Sequence, residues 1–239
     1  MSEAWPEIVR AVAGRYRSRV QAGFVAGKLR HDPIYRTLLA HPDLRDARSV
    51  LDLGCGRGIL LAVLAERARR SGTPKALRGL EARASHAALA REALGADATI
   101  DITDLRTAQI PPAEAICAID VLHYLPWEAQ RSLLQRIAGA LAPGGLLLVR
   151  EIDRDAGLRG RLAMAAEHAM SALRTEPGRA FAFRSAVDWR GTLSTAGFEV
   201  EEHPGGEGTP FANVLLLGYR EAKKARTRDR SARATSSNP

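Results

Sequence analysis

The stretch LDLGCGRG, residues 51–58, places the acid Asp52 shortly before glycines at positions 54, 56 and 58. Glycines at this spacing let a backbone approach a ligand closely, because no side chain intervenes. A P-loop requires Gly-Lys-Ser or Gly-Lys-Thr, whereas this chain has Gly-Arg-Gly-Ile, and the spacing also differs from the dinucleotide pattern Gly-x-Gly-x-x-Gly. Asp52 would also repel a pyrophosphate by roughly 4 kcal/mol at ~4 Å. The loop therefore predicts a ligand that carries positive charge.

S-adenosylmethionine is such a ligand, because it has a sulfonium and an α-ammonium group and no phosphate. Acceptors for the rest of the molecule follow at successive predicted strand ends. Glu81 is predicted to accept from both ribose hydroxyls, and Asp101 is placed for the adenine amino group. Ile102 lies beside Asp101 and is included in the predicted cofactor site. Asp120 is expected to face either the sulfonium or the substrate.

Three residues of the glycine loop complete the predicted cofactor site. Gly54 and Gly56 would let the backbone reach the methionine and ribose portions. Cys55 would pack its small side chain beneath the cofactor. A role for Cys55 as a nucleophile is rejected, because no helper base is near it in the sequence.

Candidate catalytic residues follow the predicted fourth strand and end the fifth. With an ordinary pKa of about 6.5, His123 is the best candidate for a general base; the alternative is a hydrogen bond to the loop backbone. Tyr124 is predicted to line the substrate site. Arg150 is predicted to pair with a substrate carboxylate or phenolate, or alternatively with Glu151 or Asp153. The other histidines are scattered along the chain, so no metal site is predicted.

Short apolar runs that alternate with helical patterns must position these side chains. The pattern predicts strands at residues 49–53, 76–80, 98–102, 115–119 and 146–152, with helices at 58–70, 85–94 and 126–141. This alternation is typical of a doubly wound α/β fold, a mostly parallel sheet with helices on both faces. Ligands of such folds bind at the carboxyl edge of the sheet, so the candidate residues are expected to meet there.

The alternation ends after the fifth strand. Helices are predicted at 157–173, where Leu158, Leu162 and Ala169 share a face, and at 187–195. Strands are predicted at 198–202 and 212–219, joined by a link too short for a crossover helix. These two strands are therefore expected to be antiparallel neighbours.

Three regions are predicted from composition and pattern. Residues 1–48 would form a helical N-terminal cap, residues 49–220 a cofactor-binding domain, and residues 221–239 a basic disordered tail. The net charge of +8 comes from the two ends, because residues 1–48 carry nine basic and five acidic side chains and residues 221–239 carry six and two. The neutral middle argues against a specific nucleic-acid partner.

Six stretches in order, LDLGCGRG, GLEA, DITDL, IDVLHYLP, LAPGGLLLV and TAGFEVEE, resemble the class I S-adenosylmethionine-dependent methyltransferases over roughly residues 48–220. The resemblance implies a seven-stranded sheet in the order 3-2-1-4-5-7-6, with the last strand antiparallel. The flanking stretches GKLRHDPIYRTLL, DVLHYLPWEAQRSLL and GTPFANVLLLGYR look like small bacterial methyltransferases of aryl-polyene pigment biosynthesis. That narrower resemblance implies a phenolic aryl acid as acceptor, free or on an acyl carrier protein, methylated at oxygen or ring carbon.

Other functions stay open on the sequence alone. They are an RNA- or protein-directed methyltransferase and a cofactor-binding partner subunit without catalysis. No run approaches the ~20 apolar residues of a membrane-spanning helix. The N-terminus lacks a signal-peptide pattern, and the two cysteines have no metal-site spacing. A cytoplasmic location is therefore expected, and the oligomeric state is not predicted.

Overall fold

A single seven-stranded sheet forms the centre of the fold in the computed structural model, which describes residues 5–173 and 181–220. The strands lie in the order β3-β2-β1-β4-β5-β7-β6. They are β1 Ser49–Leu53, β2 Ala76–Glu81, β3 Ala98–Ile102, β4 Ala113–Ile119, β5 Leu141–Ile152, β6 Glu199–Pro204 and β7 Asn213–Tyr219. Pairing is parallel from β3 to β5, and β7 is antiparallel to both of its neighbours. The predicted strand order and the reversed last strand are confirmed.

Helices cover both faces of the sheet. They are α1 Trp5–Ala13, α2 Arg19–His31, α3 Ile34–Ala40, α4 Pro42–Asp46, α5 Ile59–Ser71, α6 Ala84–Leu94, α7 Trp127–Ala140, α8 Gly157–Leu173 and α9 Ala186–Thr195. Two 3₁₀ turns lie at Gly95–Asp97 and Leu122–Tyr124. We call α1 to α4 the cap. The predicted helical character of this region agrees with the structure.

The alternating side chains of β1 divide the core into two layers. Val50 packs into the layer that contains the cap, α5 and α6. Leu51 and Leu53 point the other way, into the layer built with α7 and α9. Strands buried on both faces read as continuous apolar runs, which is why SVLDL is so hydrophobic.

The structure corrects one local prediction and orients a second element. The segment Ala-Pro-Gly-Gly after α7 was expected to lie outside any strand, but β5 begins at Leu141, which pairs with Ala113 before a register shift. The face shared by Leu158 and Leu162 on α8 points outward, with side chains 71% and 48% exposed. Ala163 and Met164 of α8 instead pack in a small apolar cluster with Ile152 of β5. Spacing identifies an apolar face but not the side of the helix that meets the sheet.

Two further predictions concern the C-terminal tail and membrane-spanning helices. The predicted basic tail, residues 221–239, lies outside the described residues. Within the part of the chain that the structure describes, we find no helix with the length and apolar character needed to cross a bilayer.

Candidate active site

A cleft of about 700 Å³ opens at the carboxyl edge of β1, β2 and β4. The sheet side of this cleft includes seven of the predicted site residues, Asp52, Gly54, Cys55, Gly56, Glu81, Asp120 and Tyr124. The cap supplies a facing wall from α2 and α3, with Phe24, Lys28, Tyr35 and Leu38. The position of the cleft is the one expected for a doubly wound sheet.

The glycine loop has its form because two positions require glycine for different reasons. Gly54 has φ +67°, and a Cβ there would lie 2.2 Å from Cγ2 of Val121. Gly56 has φ +57°, but a Cβ there would meet no protein atom within 4 Å. Since Gly56 lines the cleft, its missing side chain leaves room for a ligand rather than for the protein.

Alanine substitutions at Gly54 and Gly56 should destabilise the fold to different extents. Gly54→Ala should lower the free energy of unfolding by about 2–4 kcal/mol, because the left-handed backbone and the clash with Val121 both oppose it. Gly56→Ala carries only the backbone penalty, about 1–2 kcal/mol. Urea unfolding measures both, and Gly54→Ala in a Val121→Ala background is the control, because it removes the closest contact. Equal losses for the two single variants would contradict the packing explanation.

Two carboxylates, Asp52 and Glu81, form the floor of the cleft, and both side chains are almost fully buried. Glu81 accepts the amide of Gly56 at Oε2 and that of Arg83 at Oε1, each at 2.8 Å. In the described residues Asp52 has no hydrogen-bond donor or cation beside it. Burial, reinforced by the negative charge of Glu81, raises the pKa of Asp52 to about 8. The floor therefore combines the charge of Glu81 with a second carboxyl, Asp52, that is mostly protonated at neutral pH and that a cationic ligand would ionise.

The predicted adenine contact is placed differently by the structure. Asp101 does not line the cleft, because its carboxylate accepts from Arg78 Nε on the neighbouring strand at 2.6 Å. Ile102 is not part of the lining either. Asp104 follows the end of β3, and it lines the cleft in place of Asp101. The signal in the sequence is the second acid of DITDL, two residues past the end of the predicted strand.

The Cys55 side chain packs beneath the glycine loop, against the adjacent strand. Its thiol is buried, and a Cβ on Gly79 of the adjacent strand would come within 2.6 Å of its Sγ. Burial, followed by the charges of Asp52 and Glu81, raises the pKa of this thiol far above its ordinary value. A thiol that stays protonated is a poor nucleophile, which supports a packing role.

His123 is buried behind the cleft and is held by an acid that sequence reasoning missed. Its Nδ1 lies 2.6 Å from Oε2 of Glu151, a fully buried side chain on β5. The other carboxylate oxygen accepts the amides of Val121 and Leu122 at 3.1 and 2.6 Å. Although burial acts in the opposite direction, Glu151 raises the pKa of His123 above its ordinary value. No described residue hydrogen-bonds Nε2 of His123.

Aromatic rings separate His123 from the cleft. Its ring centroid lies 4.3 Å from that of Tyr124 and 5.2 Å from that of Phe183, with Phe181 at 5.9 Å. Tyr124 lines the cleft and its hydroxyl donates to Glu167 on α8. His123 therefore lies one ring away from the open space, in an aromatic compartment that includes Phe181 and Phe183.

Arg150 is also buried, and its partners differ from those predicted. Its Nη1 donates to Oδ2 of Asp32 at 2.8 Å and to Oδ2 of Asp120 at 3.2 Å. Neither Glu151 nor Asp153 pairs with it. Arg150 does not line the cleft, so it is not placed to receive a substrate carboxylate. The interpretation of Arg150 as a substrate receptor is corrected accordingly.

Comparison with known proteins gives the family. Residues 25–203, about three quarters of the chain, match the family described as Methyltransferase domain. A carboxy-S-adenosyl-L-methionine synthase from Chromohalobacter salexigens is 37% identical over 119 residues, which are 48% of this chain and 43% of that protein. The chain thus spans less than half the length of this curated relative.

Solved structures share the fold at low sequence identity. An O-methyltransferase family protein from Burkholderia thailandensis has a TM-score of 0.65 at 21% identity, covering 90% of this chain and 68% of that one. Human N-acetylserotonin methyltransferase in complex with SAM has a TM-score of 0.62 at 20% identity, covering 92% and 59%. With the sheet order, the position of the cleft and the match over residues 25–203, the chain belongs to the methyltransferase domain family.

Proposed function

We propose that this protein transfers a methyl group from S-adenosylmethionine to a small-molecule acceptor. The observation that carries the proposal is the floor of the cleft, where Asp52 and Glu81 are buried together and no residue that the structure describes places a hydrogen-bond donor or cation beside Asp52. Such a floor favours a cationic nucleoside and repels the phosphates of ATP or NAD.

The residues present fit this cofactor. Each carboxylate oxygen of Glu81 takes one amide hydrogen and keeps acceptor capacity for a ribose hydroxyl. Gly56 leaves open space beside it. Helix α5 begins at Gly58 without a side-chain cap, so its first amides suit the carboxylate of the methionine portion. Asp104 lines the cleft and is proposed in place of Asp101 for the adenine end.

S-adenosylmethionine, when bound, supplies a methyl group that its sulfonium charge has already activated for displacement. The task of the chain is then to position the acceptor and to take up its proton, since a phenol with a pKa of about 10 is a poor nucleophile at neutral pH. We propose His123 as that base. Glu151 holds the proton on Nδ1, which leaves Nε2 as the basic nitrogen. Access to Nε2 requires movement of an aromatic ring that separates His123 from the cleft, such as that of Tyr124, which lines the cleft.

A phenolic aryl group is the acceptor we propose, methylated at its oxygen or at the adjacent ring carbon. The rings of Tyr124, Phe181 and Phe183 around His123 favour a flat aromatic acceptor. Arg150 is held by two carboxylates and the cleft-lining Lys28 lies 3.5 Å from Asp32, so both of these cations already have a carboxylate partner. An acyl group carried on an acyl carrier protein has no free carboxylate and needs no cation as a partner. We therefore propose the carrier-bound form as the physiological acceptor.

Titration calorimetry tests the cofactor assignment. S-adenosylmethionine and S-adenosylhomocysteine should bind, whereas NAD and ATP should bind at least about 100-fold more weakly because of the anionic floor. Tight binding of NAD or ATP, with both adenosyl ligands ignored, would overturn the proposal.

A radiolabelled methyl-donor assay tests the acceptor. We expect label on carrier-bound 4-hydroxyaryl acids, with product analysis locating the methyl group. Binding of the cofactor without transfer to any acceptor would favour the partner-subunit function, and label on RNA or protein would favour a macromolecular substrate.

A further inference from the structure

The buried cation Arg150 serves two carboxylates that belong to different parts of the fold. Asp32 is the C-cap residue of α2 in the cap, and Asp120 follows β4 and lines the cleft. Both accept from the same nitrogen, Nη1, at 2.8 and 3.2 Å. The Arg150 side chain is 6% exposed and that of Asp120 29% exposed. The single positive charge of Arg150 therefore interacts with one carboxylate of the cap and with one carboxylate of the cleft.

Asp120 is held in an unusual backbone conformation at this point. Its φ of +53° makes it the one non-glycine residue with positive φ in the described ranges. Its amide donates to the Arg150 carbonyl at 2.9 Å, and Asn213 Nδ2 approaches its other carboxylate oxygen at 3.4 Å. The backbone therefore keeps the Asp120 carboxylate between Arg150 and the cleft.

Asp32 competes for Arg150 and is itself charged. Although its burial acts in the opposite direction, the charges of Arg150 and of Lys28 lower the pKa of Asp32 below its ordinary value. Lys28 Nζ lies 3.5 Å from the same carboxylate oxygen that Arg150 contacts. Asp32 and Asp120 therefore share one guanidinium charge, and Asp32 reduces the part of it that acts on Asp120.

We infer that Arg150, through this division of its charge between Asp32 and Asp120, sets the preference of the cleft for the cationic methyl donor over the demethylated product. The inference rests on the proposed function, and it makes Arg150 and Asp32 specificity-determining residues although neither lines the cleft. The donor carries one more positive charge than the product, so a residual negative charge on Asp120 favours the donor selectively.

The measurement is the ratio of dissociation constants for S-adenosylhomocysteine and S-adenosylmethionine, by calorimetry on the full chain. Asp32→Asn removes the competing carboxylate, so that Arg150 neutralises the charge of Asp120 more fully. This should lower the ratio about 3–10-fold. Arg150→Gln leaves Asp120 uncompensated and should shift the ratio in the opposite direction. If Arg150→Gln does not fold, Asp32→Asn alone decides.

Two controls separate this effect from a looser cap or from Lys28. Glu7→Gln removes an ion pair from the cap to Arg70 on α5, outside the cleft lining, and should leave the ratio unchanged. Asp32→Asn in a Lys28→Gln background should still lower the ratio, because the effect passes through Arg150. Equal weakening of both ligands by Asp32→Asn would overturn the inference and leave Arg150 as a structural bridge. Failure of both ligands to bind the wild-type protein would instead contradict the proposed function.

Discussion

Replacement of Asp52 by asparagine should make the protein more stable at pH 8 and at the same time a poorer binder of S-adenosylmethionine. Burial and the neighbouring Glu81 raise the pKa of Asp52 to about 8, so the folded protein holds a proton that the unfolded chain releases near pH 4. Between these values the contribution of Asp52 to stability falls as the pH rises. Asparagine has no such dependence.

The expected stability gain for Asp52→Asn grows from near zero at about pH 4 to the order of 3 kcal/mol at pH 8. Thermal unfolding of both proteins across this pH range measures it. Glu66→Gln is the matched control with the opposite sign. Hydrogen bonds from Arg69 and Arg70 lower the pKa of the buried Glu66, so its contribution is present at neutral pH and lost on acidification. Glu66→Gln should therefore destabilise the protein at pH 7.

The same substitution, Asp52→Asn, should also weaken the binding of S-adenosylmethionine. Loss of one buried charge facing a cationic ligand should weaken S-adenosylmethionine by about 10–100-fold, or roughly 1.5–3 kcal/mol. Because a pKa of about 8 leaves Asp52 mostly protonated at pH 7, binding should also release close to one proton per site. Calorimetry in two buffers of different ionisation enthalpy detects this release. Unchanged affinity and no proton release in the wild-type protein would remove Asp52 from the cofactor site.

Replacement of His123 is the second large effect that we expect. If His123 takes the acceptor proton, His123→Ala should lower kcat about 100-fold or more, with little change in the affinity for S-adenosylmethionine. The matched variant Glu151→Gln keeps the shape of the buried partner. Without the carboxylate, the pKa of His123 falls, so the acid limb of the kcat/KM profile should move to lower pH.

A purely structural role for His123 and Glu151 predicts a different outcome for these two variants. Glu151 also accepts the amides of Val121 and Leu122, so a purely structural pair would show reduced thermal stability in both variants. If His123→Ala retained kcat within about tenfold, and the pH profile of Glu151→Gln matched the wild type, His123 would be a structural residue.

The fold was predictable because local patterns determine it. Runs such as SVLDL place apolar residues on both faces, and helices of about ten residues separate them, so a parallel sheet follows from period and length. The short link before Asn213 allowed only an antiparallel return. The Ala-Pro-Gly-Gly segment was misassigned because a register shift in β5 depends on its neighbour β4, which local propensity does not describe.

The position of the acids on the cleft floor was predictable for a related reason. Asp52 and Glu81 lie at the ends of strands that are neighbours in the sheet, and topology alone brings such ends together. Asp101 failed this reasoning although it also lies near a strand end, because its side chain pairs with Arg78 rather than facing the cleft. The contribution of a strand end depends on which face its last side chains occupy.

The sequence by itself therefore determined the order of elements, the edge at which the cleft opens and the acids on its floor, since these depend on residues close together in the chain or on adjacent strands. Only the tertiary structure decided the partners of Arg150 and His123. Arg150 meets Asp32 across 118 positions, and His123 meets Glu151 across 28. Such pairs depend on how the cap and the strands pack and on side-chain orientation, and neither has a periodic signal in the sequence.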